Sequence, residues 1–494
     1  MMATATFVWS DASVREALRL PTAAETGRDR VFSAICTDTR DLQTGDLFVA
    51  LIGERFDGHA FVAEALDRGA AAAVVSRPVP GVADDRLYVV PDTLAALGDL
   101  ARFRRRALPA RVVGIAGSVG KTGTKEMTRA ALASQLRTHA TPANLNNRIG
   151  VPLTLLSAPD DREAVVVEMG TSIRGEMAAL TAITEPDIAV IVTVGAEHLE
   201  GIGGLDEAID EELDVLRGLD RQALAVVGDR PPVLATRARE LAANVRVAGR
   251  TAQADAAARA DAVELDPQGR ARFVWHSQTI QLSVPGVHAV DNALLALTVA
   301  DALGVDAAAA SDAVARVEPH GMRGEVRRIG SLDVVVDCYN ANPQSVEAAL
   351  DLLEERRASG PRIAILGSML ELGTSSDEWH DRVLASALAR GIDRIVATGE
   401  FAAAALRRSE AGADPQTSGS FPDSSPKSAG KSAAEPASDH QTRLDIQADP
   451  LEAGARLVDE LEGRETVLLK GSRGVALERL LPLLEARFAE PRGG

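Results

Sequence analysis

The sequence predicts an α/β fold of three domains, with a phosphate-loop domain built on a parallel sheet at its centre. Three observations carry that expectation. Short apolar runs alternate with helical segments along most of the chain, the order that produces parallel, doubly wound sheets. One such run, Val112, Val113, Ile115 and Ala116, leads straight into Gly117-Ser118-Val119-Gly120-Lys121-Thr122 and then a helix expected over Lys125 to Leu136. The 494 residues are also too many for one ordinary core.

Composition narrows the class. A hydrophobic fraction of 46% with 25% charged residues is that of a soluble globular protein. Acidic residues outnumber basic ones 71 to 53, a net charge of −18 that argues against bulk nucleic-acid binding. Cys36 and Cys338 make no disulfide framework and suit a reducing cytoplasm. The first residues lack the basic and apolar regions of a signal peptide, and no run of about 20 apolar residues exists to span a membrane. A cytoplasmic protein is expected.

Residues 1–108 form the first domain. Ser10-Asp11-Ala12-Ser13 reads as a helix N-cap before Val14 to Leu20. Leu47 to Ile52 suits a strand, Phe61 to Gly69 a helix ended by glycine, and Ala70 to Val75 the next strand. Asp38, Thr39, Arg40, Asp57, Gly58 and His59 fall in the surrounding loops. They read either as turn formers or as a site for an anionic substrate, with Arg40 forked onto a phosphate or carboxylate.

Residues 109–318 form the second domain. In the strand–turn–helix unit, backbone N–H groups at the helix start point at an anion, glycines let the chain approach closely, and Lys121 adds a full charge. Thr122 is placed to offer its hydroxyl to Mg²⁺. The spacing is GxxGKT, because Ile115 stands where the longer phosphate-loop pattern has its first glycine. Pro142 to Arg148 is a polar loop before a helix at Val151 to Leu156. Ala164 to Val167 is a buried strand ending in Glu168. A carboxylate at that end of a parallel strand reads as a Mg²⁺ ligand beside Thr122, or as a solvated strand-end acid. His198 likewise follows the strand Ile188 to Val194, where a metal or phosphate role is open to it. Leu205 to Leu219 is an acidic helix whose Asp206, Glu207, Asp210, Glu211 and Asp214 read as a solvated face, with Glu212 flanking the apolar stripe. Ala223 to Val227 is another strand, the alternation over about residues 250 to 285 predicts a β-hairpin, and Gly286 to Asn292 opens a helix over Ala293 to Leu303.

Residues 319–494 form the third domain, with strands at Leu332 to Val336, Ile363 to Leu366, Arg394 to Ala397 and Thr466 to Leu469. Asp337-Cys338-Tyr339-Asn340-Ala341-Asn342-Pro343 and Lys470-Gly471-Ser472-Arg473-Gly474 both leave the carboxyl edge of that sheet, its functional edge. Residues 412–439, rich in Ser, Pro, Ala and Asp, predict a disordered insertion.

Three motif sets then line up: TDTRDLQTGDLFVAL with DGH; GSVGKTGTKE with NLNNRIGVPLTLL, EMG and AEHLEG; and DCYNANPQS with KGSRG. Over nearly its whole length the chain resembles the Mur ligase family of peptidoglycan synthesis. Within that family, DCYNANPQS and Met369 to Gly373 (MLELG) resemble the branch that joins D-alanyl-D-alanine to UDP-N-acetylmuramoyl-tripeptide. The DNPR-like signature usual in the diaminopimelate- or lysine-adding branch is absent. Another Mur or folylpolyglutamate-type ligase, or a non-catalytic nucleotide-binding relative, is the alternative.

The resemblance implies an N-terminal UDP-sugar domain, a central ATP domain and a Rossmann-like C-terminal domain. It implies ATP and Mg²⁺ as cofactors and an acyl-phosphate intermediate attacked by the D-alanyl-D-alanine amine. A monomer serving cell-wall biogenesis is expected. Carried onto this sequence, the nucleotide site is Gly117, Ser118, Val119, Gly120, Lys121, Thr122 and Gly123. Asn292 falls at the adenine, Arg323 reaches in from the domain junction, and Asp337, Tyr339, Asn340 and Asn342 lie in the closure loop. Thr122 and Glu168 would hold a first Mg²⁺, and His198 and Glu212 a second, with Lys121, His198 and Glu212 as the catalytic set. Thr39 and Arg40 fall on the UDP-sugar side; Asn144, Asn147 and Thr171 fall near the growing peptide.

Two departures stand out. Where the family normally carries a lysine carbamoylated by CO₂, ungapped counting from His198 gives Glu212. A carboxylate offers the same charge and oxygen ligands on a shorter arm, so Glu212 is expected to replace the modified lysine and free the enzyme from bicarbonate. Gly123 replaces the family's Thr or Ser, and Ser368 a frequent Asp. Gly123 is expected to loosen the helix start slightly.

Overall fold

The computed structural model describes residues 7–21, 30–53, 55–319, 321–358, 360–410 and 442–489. Strands β1 (Trp9–Ser10) and β2 (Val31–Phe32) pair antiparallel. They precede a parallel four-stranded sheet of β3 (Ile35–Cys36), β4 (Leu47–Val49), β5 (Ala72–Val75) and β6 (Leu87–Val89). Ser10 caps the helix Asp11–Ala17 through a reciprocal capping box with Ser13.

The central sheet contains β7 (Arg111–Ala116), β8 (Thr138–Ala140), β9 (Ala164–Glu168), β10 (Ile188–Ile191), β11 (Leu224–Gly228) and β12 (Val245–Ala248). Their order is β12-β11-β10-β7-β9-β8, parallel throughout. Period-two alternation sends Val165 and Val167 to one face and Ala164 and Val166 to the other. One face packs on the helices Gly150–Leu156, Glu176–Thr184 and Leu205–Arg217, the other on Lys121–Ala133 and His288–Ala302. Because strands continue on both sides of β7, its carboxyl end is the switch point where such sheets bind ligands. The register sets Ile115 opposite Glu168 and Ala116 opposite Ile191, so three strand ends open at one level.

A three-stranded antiparallel sheet follows: β13 (Asp261–Leu265), β14 (Arg270–Trp275) and β15 (Gln278–Pro285). The last sheet holds β16 (Glu325–Ile329), β17 (Leu332–Asp337), β18 (Arg362–Leu366), β19 (Arg394–Ala397), β20 (Arg443–Ile446) and β21 (Thr466–Lys470). Its order is β16-β17-β21-β18-β19-β20, with only the β16–β17 pair antiparallel. One cluster of buried apolar side chains runs from the central sheet, at Val165 and Ile191, into this unit, at Val346 and Leu468.

Several expectations need correction. The helix after the phosphate loop begins at Lys121, not Lys125, because Gly120 turns the chain with φ of 88° and delivers Lys121 and Thr122 into the first helical turn. The helix expected from Ala293 begins at His288, which puts Asn292 inside it. The expected hairpin is a three-stranded meander with two register shifts. Edge strands β16 and β20 were not predicted. Both are short and alternate weakly, and β16 is half-exposed. The insertion expected at residues 412–439 lies outside the described residues. Among the described residues, no helix is long and apolar enough to cross a membrane.

Candidate active site

Close packing fixes the phosphate loop. Gly117 has φ of 121°, and a Cβ there would lie 2.9 Å from the Thr193 carbonyl oxygen. A Cβ on Gly120 would meet Asn292 Oδ1 at 2.6 Å. The Ser118 N–H donates to the Thr193 carbonyl at 2.8 Å, its hydroxyl accepts the Gly195 N–H at 3.0 Å, and Val119 is half-buried beside it. Lys121 Nζ donates across the loop to the carbonyls of Gly117 (2.5 Å) and Ser118 (3.1 Å). Burial disfavours its charge, but Glu197, Glu212 and Glu168 outweigh that and raise its pKa above the ordinary lysine value. The lysine is therefore a fixed cation at the start of a helix, suited to phosphate.

Beside it, Thr122 Oγ1 lies 3.1 Å from Glu168 Oε1, which also accepts from Asn146 Nδ2 at 2.8 Å. Glu168 is buried, and its Oε2 has no hydrogen-bond partner. That spare carboxylate oxygen, next to a hydroxyl, suits a hard divalent cation such as Mg²⁺. Lys125, also buried, stands 3.7 Å from Oε2 and donates to the carbonyls of Thr141 and Ala143.

The two glutamates side by side on the acidic helix are both buried. Glu211, expected on the solvated face, accepts from Thr171 Oγ1 (3.0 Å) and from the N–H groups of Gly175 (2.7 Å) and Met177 (2.8 Å). Glu212 reaches the phosphate loop itself, where Oε2 accepts the Gly117 N–H at 2.7 Å. Burial pushes its carboxyl up to about 7, against the pull of Lys121 and of that hydrogen bond. His198, in a left-handed backbone conformation, pairs through Nδ1 with Glu371 of the C-terminal unit. Among the described residues, no three His, Cys, Asp or Glu side chains converge as a metal centre. His198 is held by Glu371 and Glu212 by the Gly117 N–H, and as arranged the two do not fit a second ion.

Glu197, adjacent to His198, is a residue that sequence reasoning missed. Its Oε2 lies 3.4 Å from Lys121 Nζ, while Oε1 accepts from Asn340 Nδ2 (2.8 Å) and Asn342 Nδ2 (3.2 Å). Asn342 also caps the helix Pro343–Glu355 by accepting the Ser345 N–H. Behind it, buried Lys470 pairs with Asp337 at 3.0 Å and donates to the Asn340 carbonyl at 2.7 Å. The Arg323 guanidinium stacks over Tyr339, 4.0 Å from the ring centroid.

Family models match three segments of the chain. Residues 31–105 match the model described as Mur ligase family, catalytic domain; residues 115–300 match the Mur ligase middle domain; residues 322–473 match the Mur ligase, glutamate ligase domain. The UDP-N-acetylmuramoyl-tripeptide--D-alanyl-D-alanine ligase of Treponema pallidum is 34% identical over 472 residues, 92% of this chain and 94% of its own. The chain belongs to the Mur ligase family. Among solved structures, MurF from Acinetobacter baumannii superposes with a TM-score of 0.82 at 29% identity, covering 97% of this chain and 99% of that one. The MurF ligase of Thermotoga maritima in complex with ADP gives 0.75 at 27% identity, covering 92% and 97%.

In this Mur ligase chain the remaining expected residues are partly occupied. Arg40 is largely exposed and forks onto the Asp38 carboxylate, beside the half-buried Thr39. Asn144 is exposed. Asn147 accepts the N–H groups of Ile149 and Gly150, starting the next helix, and Asn146 between them is the one that reaches Glu168. The Thr171 hydroxyl is held by Glu211 and the Ile173 carbonyl. A Cβ at Gly123 would lie 2.9 Å from Asn292 Nδ2, so the missing side chain makes room for that amide. Ser368 accepts the Glu400 N–H and so serves the start of the helix Glu400–Glu410.

Proposed function

We infer that the chain is an ATP-dependent, ADP-forming amide ligase that joins D-alanyl-D-alanine to UDP-N-acetylmuramoyl-tripeptide in peptidoglycan synthesis. It works as a cytoplasmic monomer. The observation that carries this reading is the junction at the phosphate loop, where Lys121, Glu197 and the Asn340–Asn342 loop of a second α/β unit meet within hydrogen-bond reach. The similarity to the D-alanyl-D-alanine-adding ligase of Treponema pallidum supports the substrate choice, and the ADP in the Thermotoga maritima complex supports the nucleotide.

The tripeptide's terminal carboxylate oxygen attacks the γ-phosphorus of ATP and ADP departs. The D-alanyl-D-alanine nitrogen then forms the amide bond as the carbon–oxygen bond to phosphate breaks, with loss of an amine proton and release of phosphate. Positioning and charge neutralisation dominate such transfers. The Gly117–Gly123 loop cradles the phosphates with its amides from Val119 to Gly123 and with the Lys121 ammonium, while Gly117 and Ser118 hold the loop's shape through Glu212 and Thr193. Asn292, against the loop, faces the base. Thr122 and Glu168 would hold Mg²⁺, which supplies further neutralisation of phosphate charge. Arg323, Asp337, Tyr339, Asn340 and Asn342 complete the nucleotide side from the C-terminal unit. Thr39 and Arg40 take the UDP-sugar end; Asn144, Asn147 and Thr171 border the peptide. The test is phosphate release with each substrate omitted in turn. Release only when ATP, tripeptide and D-alanyl-D-alanine are all present supports the reading; ATP binding without turnover would replace it with a non-catalytic one.

A further inference from the structure

Glu197 touches both the phosphate-loop lysine and the C-terminal unit. It is 9% exposed, and each carboxylate oxygen has a different client: Oε2 faces Lys121 Nζ, and Oε1 takes the amides of Asn340 and Asn342. The second client sits at the start of a 13-residue helix, whose N-terminal end favours negative charge. Close packing holds the two units together here. A Cβ on Gly195 would meet the Gln344 side-chain amide at 2.2 Å, and Gln344 Nε2 donates to the Val194 carbonyl.

A buried carboxylate 3.4 Å from an ammonium competes with phosphate for that ammonium's charge. Hydrogen bonds from Asn340 and Asn342 draw the same carboxylate's charge toward the other unit. Building on the ligase reading, we propose that Glu197 is a positioning residue that couples seating of the Asn340–Asn342 loop to the charge Lys121 offers the nucleotide. Seated asparagines take part of the Glu197 charge, leaving it at 3.4 Å from the lysine, and so favour nucleotide. Without them, Glu197 pairs with Lys121 and opposes it.

A double-mutant cycle read by ADP binding calorimetry on the full chain, with Mg²⁺ and without acceptor substrates, tests this. Glu197→Gln keeps the acceptor for the asparagines and removes the charge, and should tighten ADP by about tenfold. Asn340→Ala should weaken ADP about fivefold more in the wild-type background than in the Glu197→Gln background, the weakening common to both being the loss of its own place on the nucleotide side. A gain in affinity is a result that misfolding does not produce. The proposal is overturned if Glu197→Gln binds ADP no more tightly than wild type, or if Asn340→Ala weakens binding equally in both backgrounds. Because no ligation is measured, a chain that shows this coupling but never ligates would defeat the ligase reading and leave the coupling standing.

Discussion

Replacing Glu212 by glutamine probes the buried acid beneath the phosphate loop. Its carboxyl stands at about 7 against an ordinary 4.5, with burial as the leading cause and Glu197 and Glu211 adding to it. A group raised in this way binds its proton more tightly in the fold than in the unfolded chain. The stability it contributes is therefore fully present below 4.5 and is lost as pH rises through about 7. The difference corresponds to about 3 kcal/mol of penalty on the ionised fold at pH 8. Glutamine does not titrate, and its carbonyl oxygen can still accept the Gly117 N–H. Thermal denaturation from pH 4 to 8 should show wild type losing ground to Glu212→Gln between about pH 4.5 and 7 and levelling off above that, with the two converging in acid. Parallel profiles, or wild type gaining on the variant as pH rises, would refute this assignment of the burial cost.

Other variants address neighbouring groups. Because Glu212 takes no carbamoyl group, wild-type turnover should not respond to added bicarbonate, and marked stimulation would contradict that. Glu168→Gln should raise the Mg²⁺ concentration for half-maximal phosphate release by about tenfold or more, since it removes a charged oxygen ligand. Gly123→Ala should leave the melting temperature nearly unchanged, because better helix propensity offsets a soft clash, while ADP binding weakens as Asn292 turns aside. Lys470→Met strands Asp337 at the domain junction and should cost about 3–5 kcal/mol in thermal denaturation.

The phosphate loop was legible because strand, glycine turn and helix announce themselves locally, and Glu168 because strand ends are functional positions. Glu211, Glu197 and Lys125 were not. In sequence, Glu211 is one acid among many on a charged helix. Only the fold brings the N–H groups of Gly175 and Met177, at the start of the helix Glu176–Thr184, against it. Glu197 gains its meaning from Asn340 and Asn342, more than 140 residues away. The single signal for it was its place beside His198 at the end of β10. Asn146 was hidden between two asparagines that looked equivalent, and backbone geometry alone decides which of the three faces Glu168.

Oxygen transfer tests the central chemistry most directly. If the tripeptide's terminal carboxylate carries a heavy-oxygen label, an acyl-phosphate route delivers one label to the released phosphate at each turnover, and only when D-alanyl-D-alanine is present to accept the acyl group. Unlabelled phosphate, with the peptide product still forming, would contradict the proposed mechanism.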